Sequence, residues 1–398
     1  MAAAITASDN GGNVTLFEHM PRIGKKLLMT GSGKCNISNE DMDLCHFHSA
    51  DCELTLVKSV FSKISATEML DFLSHLGLLT RNRNGYIYPY SEQASQVLDV
   101  LRFSLRDRNI RTCTECEIKG ISSNKGRLAV EFENDKSENF DKIIIATGSC
   151  AYKSTGSDGS GFALCSELGH HVVKPLPALT YLAVEDKFIV SLAGIRTHAK
   201  VSICGSSETG ELQLTKNGIS GIPVFNLSFR ASKRLDLGEK VIAEVDFLPE
   251  ISEDSLRLEL TKRCKMLSVR PVEELLVGIL HKNLCNVIMK ESSLRHELSQ
   301  KCCLLSEEEI GAIAGKIKHF MFRIKANGGF DNSQVVAGGV DTTEITDCLE
   351  SKRVSNLYLA GEVLDVNGDC GGYNLTWAFC SGIVAANAAT GKYESLMI

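Results

Sequence analysis

The segment Thr30-Gly-Ser-Gly-Lys-Cys-Asn36 sets two glycines one residue apart among four hydrogen-bonding side chains, Thr30, Ser32, Lys34 and Asn36. Gly31 and Gly33 let backbone amides come close to an anion. Basic residues flank the turn on both sides, Lys25 and Lys26 before it and Lys34 at its end. The pattern reads as a phosphate or flavin loop, although a Gly-Ser-Gly turn by itself is also an ordinary tight turn. Two further glycine turns follow apolar runs. Asp141-Lys-Ile-Ile-Ile-Ala-Thr147-Gly148 is a continuous apolar strand running into glycine, as buried parallel strands do. Ala360-Gly361-Glu362 repeats the theme, and Gly368-Asp-Cys370-Gly371-Gly372-Tyr373-Asn374 then leads into a helix. Glycines at a helix start leave N–H groups free at the positive end of the helix dipole, a place for the electron-rich edge of a reduced flavin. Glu18 ends a short strand after a helix. In a dinucleotide-binding unit an acidic residue there accepts from a ribose hydroxyl, and on this segment alone a solvated glutamate is the competing reading.

These residues need a scaffold to converge. Ala2 to Ser8 reads as a helix stopped by Asp9-Asn10-Gly11-Gly12, and Val14 to Phe17 as the strand carrying Glu18. Helical spacing covers 54–76 and 91–109, and strands follow at 110–121 and 127–133. From about 180 to 250 short β-rich runs (181–184, 199–204, 240–247) imply a small barrel or sandwich. Residues 251–325 turn helical, with Ser252 and Ser306 as N-caps before Glu-rich first turns. Asn374 to Ala389 makes a closing helix. The organisation implied is an α/β domain from both chain ends, 1–180 and 325–398, interrupted by a β plus α insertion over 181–324.

Composition sets the limits. With 398 residues, 43% hydrophobic and 23% charged, the chain is long enough for two or three domains and ordinary enough to fold. Lys plus Arg number 43 against 49 Asp plus Glu, a net charge of −6, which disfavours a nucleic-acid partner. Fifteen cysteines, an odd number spread over the length, do not form a paired secreted framework. No run reaches the roughly 18 apolar residues of a membrane span. A cytoplasmic protein with reduced thiols and no membrane partner is expected.

Taken together, these segments resemble the HI0933-like (YhiN/BaiN-type) family of FAD-dependent oxidoreductases. Thr30 to Asn36 is similar to that family's TGGGRCN, with Ser32 and Lys34 as departures. Tyr88-Pro-Tyr-Ser91 is similar to its FPxS, Ile145-Ala-Thr-Gly148 to its ATGG, Gly218-Ile-Ser-Gly221 to its GLSGP, and 360–374 to its AGEVLDVxGxxGGYN signature. The resemblance implies an α/β fold: a discontinuous, Rossmann-like FAD-binding domain with an inserted β-barrel plus helical domain. It implies FAD held by Glu18 at the ribose, by Lys25 and 30–36 beside the flavin and pyrophosphate, and by Thr147, Gly148, Gly361, Glu362, Asp365 and 371–374. It implies NAD(P)H as electron donor and a small hydrophobic substrate, since members act on steroid or bile-acid-type enones or on amines. The family opens with a strand and a GxGxxG-type turn ahead of the helix that begins here at Met1. The sequence is therefore expected to start one strand late and to bind FAD less well, with a non-catalytic remnant as the second reading.

Catalytic residues are not legible. Tyr373 and Cys370 are candidates by position only. Cys45, His46, His48 and Cys52 offer zinc-type ligands at irregular spacing, and Cys113-Thr-Glu-Cys116 is a lone CxxC; no metal is assigned to either. Trp377 reads as core packing.

Overall fold

Short apolar runs ending at glycine or a polar residue fold into parallel strands. In the computed structural model, which describes residues 1–124, 126–295 and 297–393, Thr15–Phe17 pairs in parallel with Arg111–Cys113. Ile143–Ile145 pairs in parallel with Leu357–Leu359. Among the described residues no strand joins the two pairs into one ladder. Parallel neighbours need long crossovers. Helix Ala94–Asp107 supplies one, burying Val97, Leu98, Leu101 and Leu105 on a single stripe.

The helical spacing over 54–76 resolves into Thr55–Lys63 and Ala66–His75. Ser65 starts the second, in a reciprocal capping box with Glu68. The closing helix, Tyr373–Ala389, is buried nearly all round and packs on the helix Ala2–Asp9. Trp377 lies in this core, 1% exposed, and its indole N–H donates to the Gly361 carbonyl at 3.1 Å. The strand Val335–Val340, buried at every position, is an addition to the expected elements and pairs with Val172–Ala178. Its glycines serve close approach: a Cβ at Gly338 would lie 2.5 Å from the Lys174 carbonyl oxygen.

Contacts divide the chain into two compact units, Met1–Pro177 with the chain from Phe330 onward, and Ala178–Gly329. In the second unit six strands close a barrel in the order Leu182–Val184, Gly218–Ser220, Ser206–Leu214, Arg196–Ile203, Val241–Asp246 and Phe320–Asn327. Helices Glu253–Met266 and Glu307–Lys318 start at the expected caps, Ser252 and Ser306. Two expectations are corrected here. Ile222–Asp236 lies within the run read as β-rich, yet is a helix with proline in its first turn and Val224, Leu227 and Ala231 on its buried face. Residues 320–325, read as helical, belong to the strand that closes the barrel, because Phe320, Phe322 and Ile324 alternate inward with exposed Met321, Arg323 and Lys325. The mixed α/β fold with an inserted barrel and helices is the expected class. Among the described residues no helix is long and apolar enough to cross a membrane.

Candidate cofactor site

The loop over 30–36 owes its shape to left-handed backbone. Gly31, Ser32, Gly33 and Cys35 all have positive φ, at 54°, 55°, 86° and 58°. Ser32 takes this conformation without glycine's freedom, which places the departure from TGGGRCN at a strained position. The turn is closed by the Lys34 N–H on the Gly31 carbonyl and the Cys35 N–H on the Thr30 carbonyl, both at 3.1 Å. Thr30 Oγ1 donates to the Leu27 carbonyl. Cys35 is buried, and that burial pushes its thiol up to about 11, so it packs as a neutral filler. Lys34 reaches Glu92 at 3.6 Å. The amide oxygen of Asn36 is buried and has no hydrogen-bond partner.

The next segment docks the loop onto the closing helix. Thr376 Oγ1 lies 2.9 Å from Ser38 Oγ and donates to the Ile37 carbonyl, and Asn39 Nδ2 donates to the Gly371 carbonyl at 3.0 Å. A Cβ at Gly372, whose φ is 99°, would lie 2.6 Å from the Ser38 backbone. This glycine therefore lets two chain segments touch. The strand Tyr86–Pro89, part of the FPxS-like stretch, pairs with Ser38–Asn39 beside it.

Glu362 pairs with Lys26, the neighbour of the Lys25 that the resemblance sets beside the cofactor. Lys26, not Lys25, forms the ion pair with Glu362, and Ser149 Oγ donates to the same carboxylate at 3.2 Å. Lys25 already has helical backbone angles where this turn begins, and successive side chains on a helical turn point about 100° apart, so only one of the two lysines can face Glu362. Ser149, buried, is a site neighbour that sequence reasoning missed.

Other signature residues hold the protein itself. Asp365 accepts the Ala50 N–H at 2.7 Å and the Gly338 N–H at 3.0 Å. Asn374 accepts the Gly368 N–H and donates to the Gly368 carbonyl, both at 2.8 Å. Burial pushes the Cys370 thiol up to about 11. Tyr373 is buried, its hydroxyl pKa is raised by that burial, and its ring stacks on His46 at 4.5 Å. Neither residue is poised to ionise.

Glu18 lies apart from these contacts at the end of its strand, where its carboxylate accepts the Met20 N–H at 2.9 Å. The loop 156–158 links that strand end to the other one. A Cβ at Gly156 would lie 2.8 Å from the His19 ring, and one at Gly148 would lie 3.5 Å from Ser157 Oγ. Ala146 and Thr147 are exposed where Ile143–Ile145 ends.

Of the residues read as irregular zinc ligands, the two histidines meet a carboxylate. His46 Nδ1 lies 3.0 Å from one oxygen of Asp369, and His48 Nε2 lies 2.8 Å from the other. Among the described residues no group of three or more acidic, histidine or cysteine side chains could hold a metal.

This set of polar groups fits a dinucleotide that carries a planar ring. It combines a buried amide oxygen without a partner, a left-handed glycine loop and the first N–H groups of a 17-residue helix. Leu28 and Met29, apolar and 37% and 50% exposed, border the loop. A large flat group would cover such side chains, and each apolar Å2 it covers is worth about 25 cal/mol.

Comparison with known proteins agrees with this fit. A curated relative, the 3-dehydro-bile acid delta(4,6)-reductase of Clostridium scindens, is 38% identical over 394 residues, spanning 98% of this chain and 95% of its own. The ribosomal RNA dihydrouridine synthase of Haemophilus influenzae is 27% identical over 385 residues, 94% of this chain and 92% of its own. That of Escherichia coli is 23% identical over 390 residues, 96% of this chain and 93% of its own. Residues 1–388 match the family described as HI0933-like protein Rossmann domain. The chain belongs to this HI0933-like family of Rossmann-domain flavoprotein oxidoreductases.

Proposed function

We propose that this chain is an FAD-dependent oxidoreductase that takes hydride from NAD(P)H and reduces a small hydrophobic unsaturated or imine-type substrate, a steroid- or bile-acid-like enone first among them. The observation that carries the reading is the 38% identity to a bile-acid reductase across 98% of the chain. When bound, FAD supplies the two-electron chemistry, and the protein supplies binding, orientation and charge. Gly31, Ser32, Gly33 and Asn36 would receive it from the loop side, and Gly371 and Gly372 from the helix side. Glu18 would take the ribose. Lys26, paired to Glu362, places a fixed ammonium in the same cluster, suited to holding negative charge on a reduced ring.

The RNA-modifying relatives define the competing substrate class. Polyanion binding draws on Lys and Arg, and a net charge of −6 supports the small-molecule reading. The test is to purify the protein, record flavin absorption, bleach it without air with NADH or with NADPH, and then add a 3-oxo-4-ene steroid or unmodified ribosomal RNA. Reoxidation by the steroid supports the proposal. Reoxidation by RNA alone overturns the substrate class, and a colourless protein that cannot be reconstituted overturns the enzyme.

A further inference from the structure

The residues 41–48 and 367–369 form a linked series of acid and imidazole groups that the reading above leaves unused. Asp41 Oδ2 lies 3.4 Å from His46 Nε2, and His46 Nδ1 lies 3.0 Å from Asp369 Oδ2. Asp369 Oδ1 then lies 2.8 Å from His48 Nε2. Each group touches the next through a different atom, so the series is continuous. From Asp41 to Asp369 it runs inward, the Asp41 side chain being 69% exposed and that of Asp369 12%, with His48 beside Asp369 at 19%.

Backbone pairing fixes the series in place. His48 and Phe47 pair in antiparallel register with Asn367 and Gly368, and the Asp369 N–H donates to the His46 carbonyl at 2.9 Å. Asn374 holds the Gly368 and Asp369 carbonyls from the first turn of the closing helix. The Tyr373 ring, also in that turn, stacks on His46 at an interplanar angle of 20°. The inner end therefore lies two residues before Gly371, at the turn proposed above to receive the flavin.

We propose that Asp41, His46, Asp369 and His48 form a proton-supply chain for the reduction. The inference rests on the oxidoreductase reading. Saturating an enone breaks one C=C π bond and forms two C–H bonds. The hydride comes from the nicotinamide dinucleotide and one proton must come from water. Here the proton is drawn from the imidazole–carboxylate pair and replaced from solvent at the exposed Asp41 end, which leaves the chain in its starting charge. His46 faces Asp41, Asp43 and Asp369, with Cys45 beside it and the neutral ring of Tyr373 over it, so the groups around it favour a held proton. None of the four is assigned a contact with substrate, so all are positioning residues in this account, relaying the proton from solvent toward the turn before Gly371.

Rapid mixing separates the two halves of the reaction. For His46→Gln and His48→Gln, bleaching by NAD(P)H is expected to stay within about twofold of the parent, while reoxidation by a 3-oxo-4-ene steroid slows about tenfold or more and loses its pH dependence. A second readout needs no turnover: in histidine-labelled NMR spectra, the His46 titration of the parent lies above that of Asp41→Asn. Equal reoxidation in parent and both variants overturns the chain, as does equal slowing of both halves, which marks a purely structural clamp. A parent protein that the steroid does not reoxidise overturns the underlying function reading instead.

Discussion

Two histidines in the same unit sit against carboxylates and have opposite acidities. The side chain of His170 is fully buried, with Nδ1 3.0 Å from Glu344 and Nε2 2.8 Å from Ser351 Oγ. Ser351 Oγ already accepts the N–H groups of Arg353 and Val354, so its own proton points to His170 Nε2. The ring thus donates at one nitrogen and accepts at the other, as a neutral imidazole does. Burial lowers its pKa against the pull of Glu344. His46, 27% exposed, has a carboxylate at each nitrogen. Burial opposes its charge too, but the hydrogen bonds to Asp369 and Asp41 prevail and raise its pKa. One carboxylate in a dry site leaves the imidazole pKa lowered, and two in a more exposed one leave it raised.

Removing the shared acceptor of the buried network should have the largest effect. Glu344→Ala strips partners from His170, the His171 N–H and Arg353, and should cost about 3 kcal/mol in urea unfolding. A loss under about 1 kcal/mol would remove the claim that this network ties the fold.

The pH dependence of stability should have opposite signs at the two sites. His170 has a folded pKa below its ordinary value of about 6.5, so the unfolded chain takes the proton first as pH falls. Its contribution is present above that value and lost on acidification through the folded pKa. His46 is raised, so its contribution is full below about 6.5 and lost as pH rises through the folded pKa. Melting temperatures of His170→Gln and His46→Gln against the parent, across about pH 5.5 to 8, should diverge from it at opposite ends of the scan. Divergence at the same end would defeat the comparison.

A smaller effect is expected from Asp369→Asn, which should lower the His46 titration seen by NMR while leaving His170 unmoved. Asp41→Asn should move His46 least, because Asp41 is exposed and 3.4 Å away, and added salt should erase most of its effect. A larger shift from Asp41 than from Asp369 would reverse the order of the chain.

Local chemistry was readable from sequence, and long-range pairing was not. The caps at Ser252 and Ser306 announced their helices because Glu-rich first turns follow them. The glycine turns at 31–33 and 371–372 stood out because few other residues tolerate those angles. The helix Ile222–Asp236 was obscured by the glycine and β-rich stretches around it. The strand Val335–Val340 was obscured because a fully buried run has no alternation to read. At the site, Cys45 to His48 stood out for its residue types, but its partner Asp369 lies more than 320 positions away. The choice of Lys26 over Lys25 depends on one turn of backbone. Asp365 and Asn374 belong to the signature, yet their side chains brace the loop around it.

The closed barrel and the two separate parallel pairs also age differently in heavy water. Each barrel strand has a neighbour on both sides along at least part of its length, so amides paired there should exchange through larger openings than edge amides do. The pairs Thr15–Phe17 with Arg111–Cys113 and Ile143–Ile145 with Leu357–Leu359 are three residues long, and Leu357–Leu359 is also held on its other side, where the Leu359 N–H donates to the Leu349 carbonyl at 3.0 Å. The more exposed pair, Thr15–Phe17 with Arg111–Cys113, should open by local breathing, and deuterium should enter there first. A ligand that seats across the ends of those pairs would be recorded as slowed exchange in the strands it covers, with the barrel serving as an internal clock.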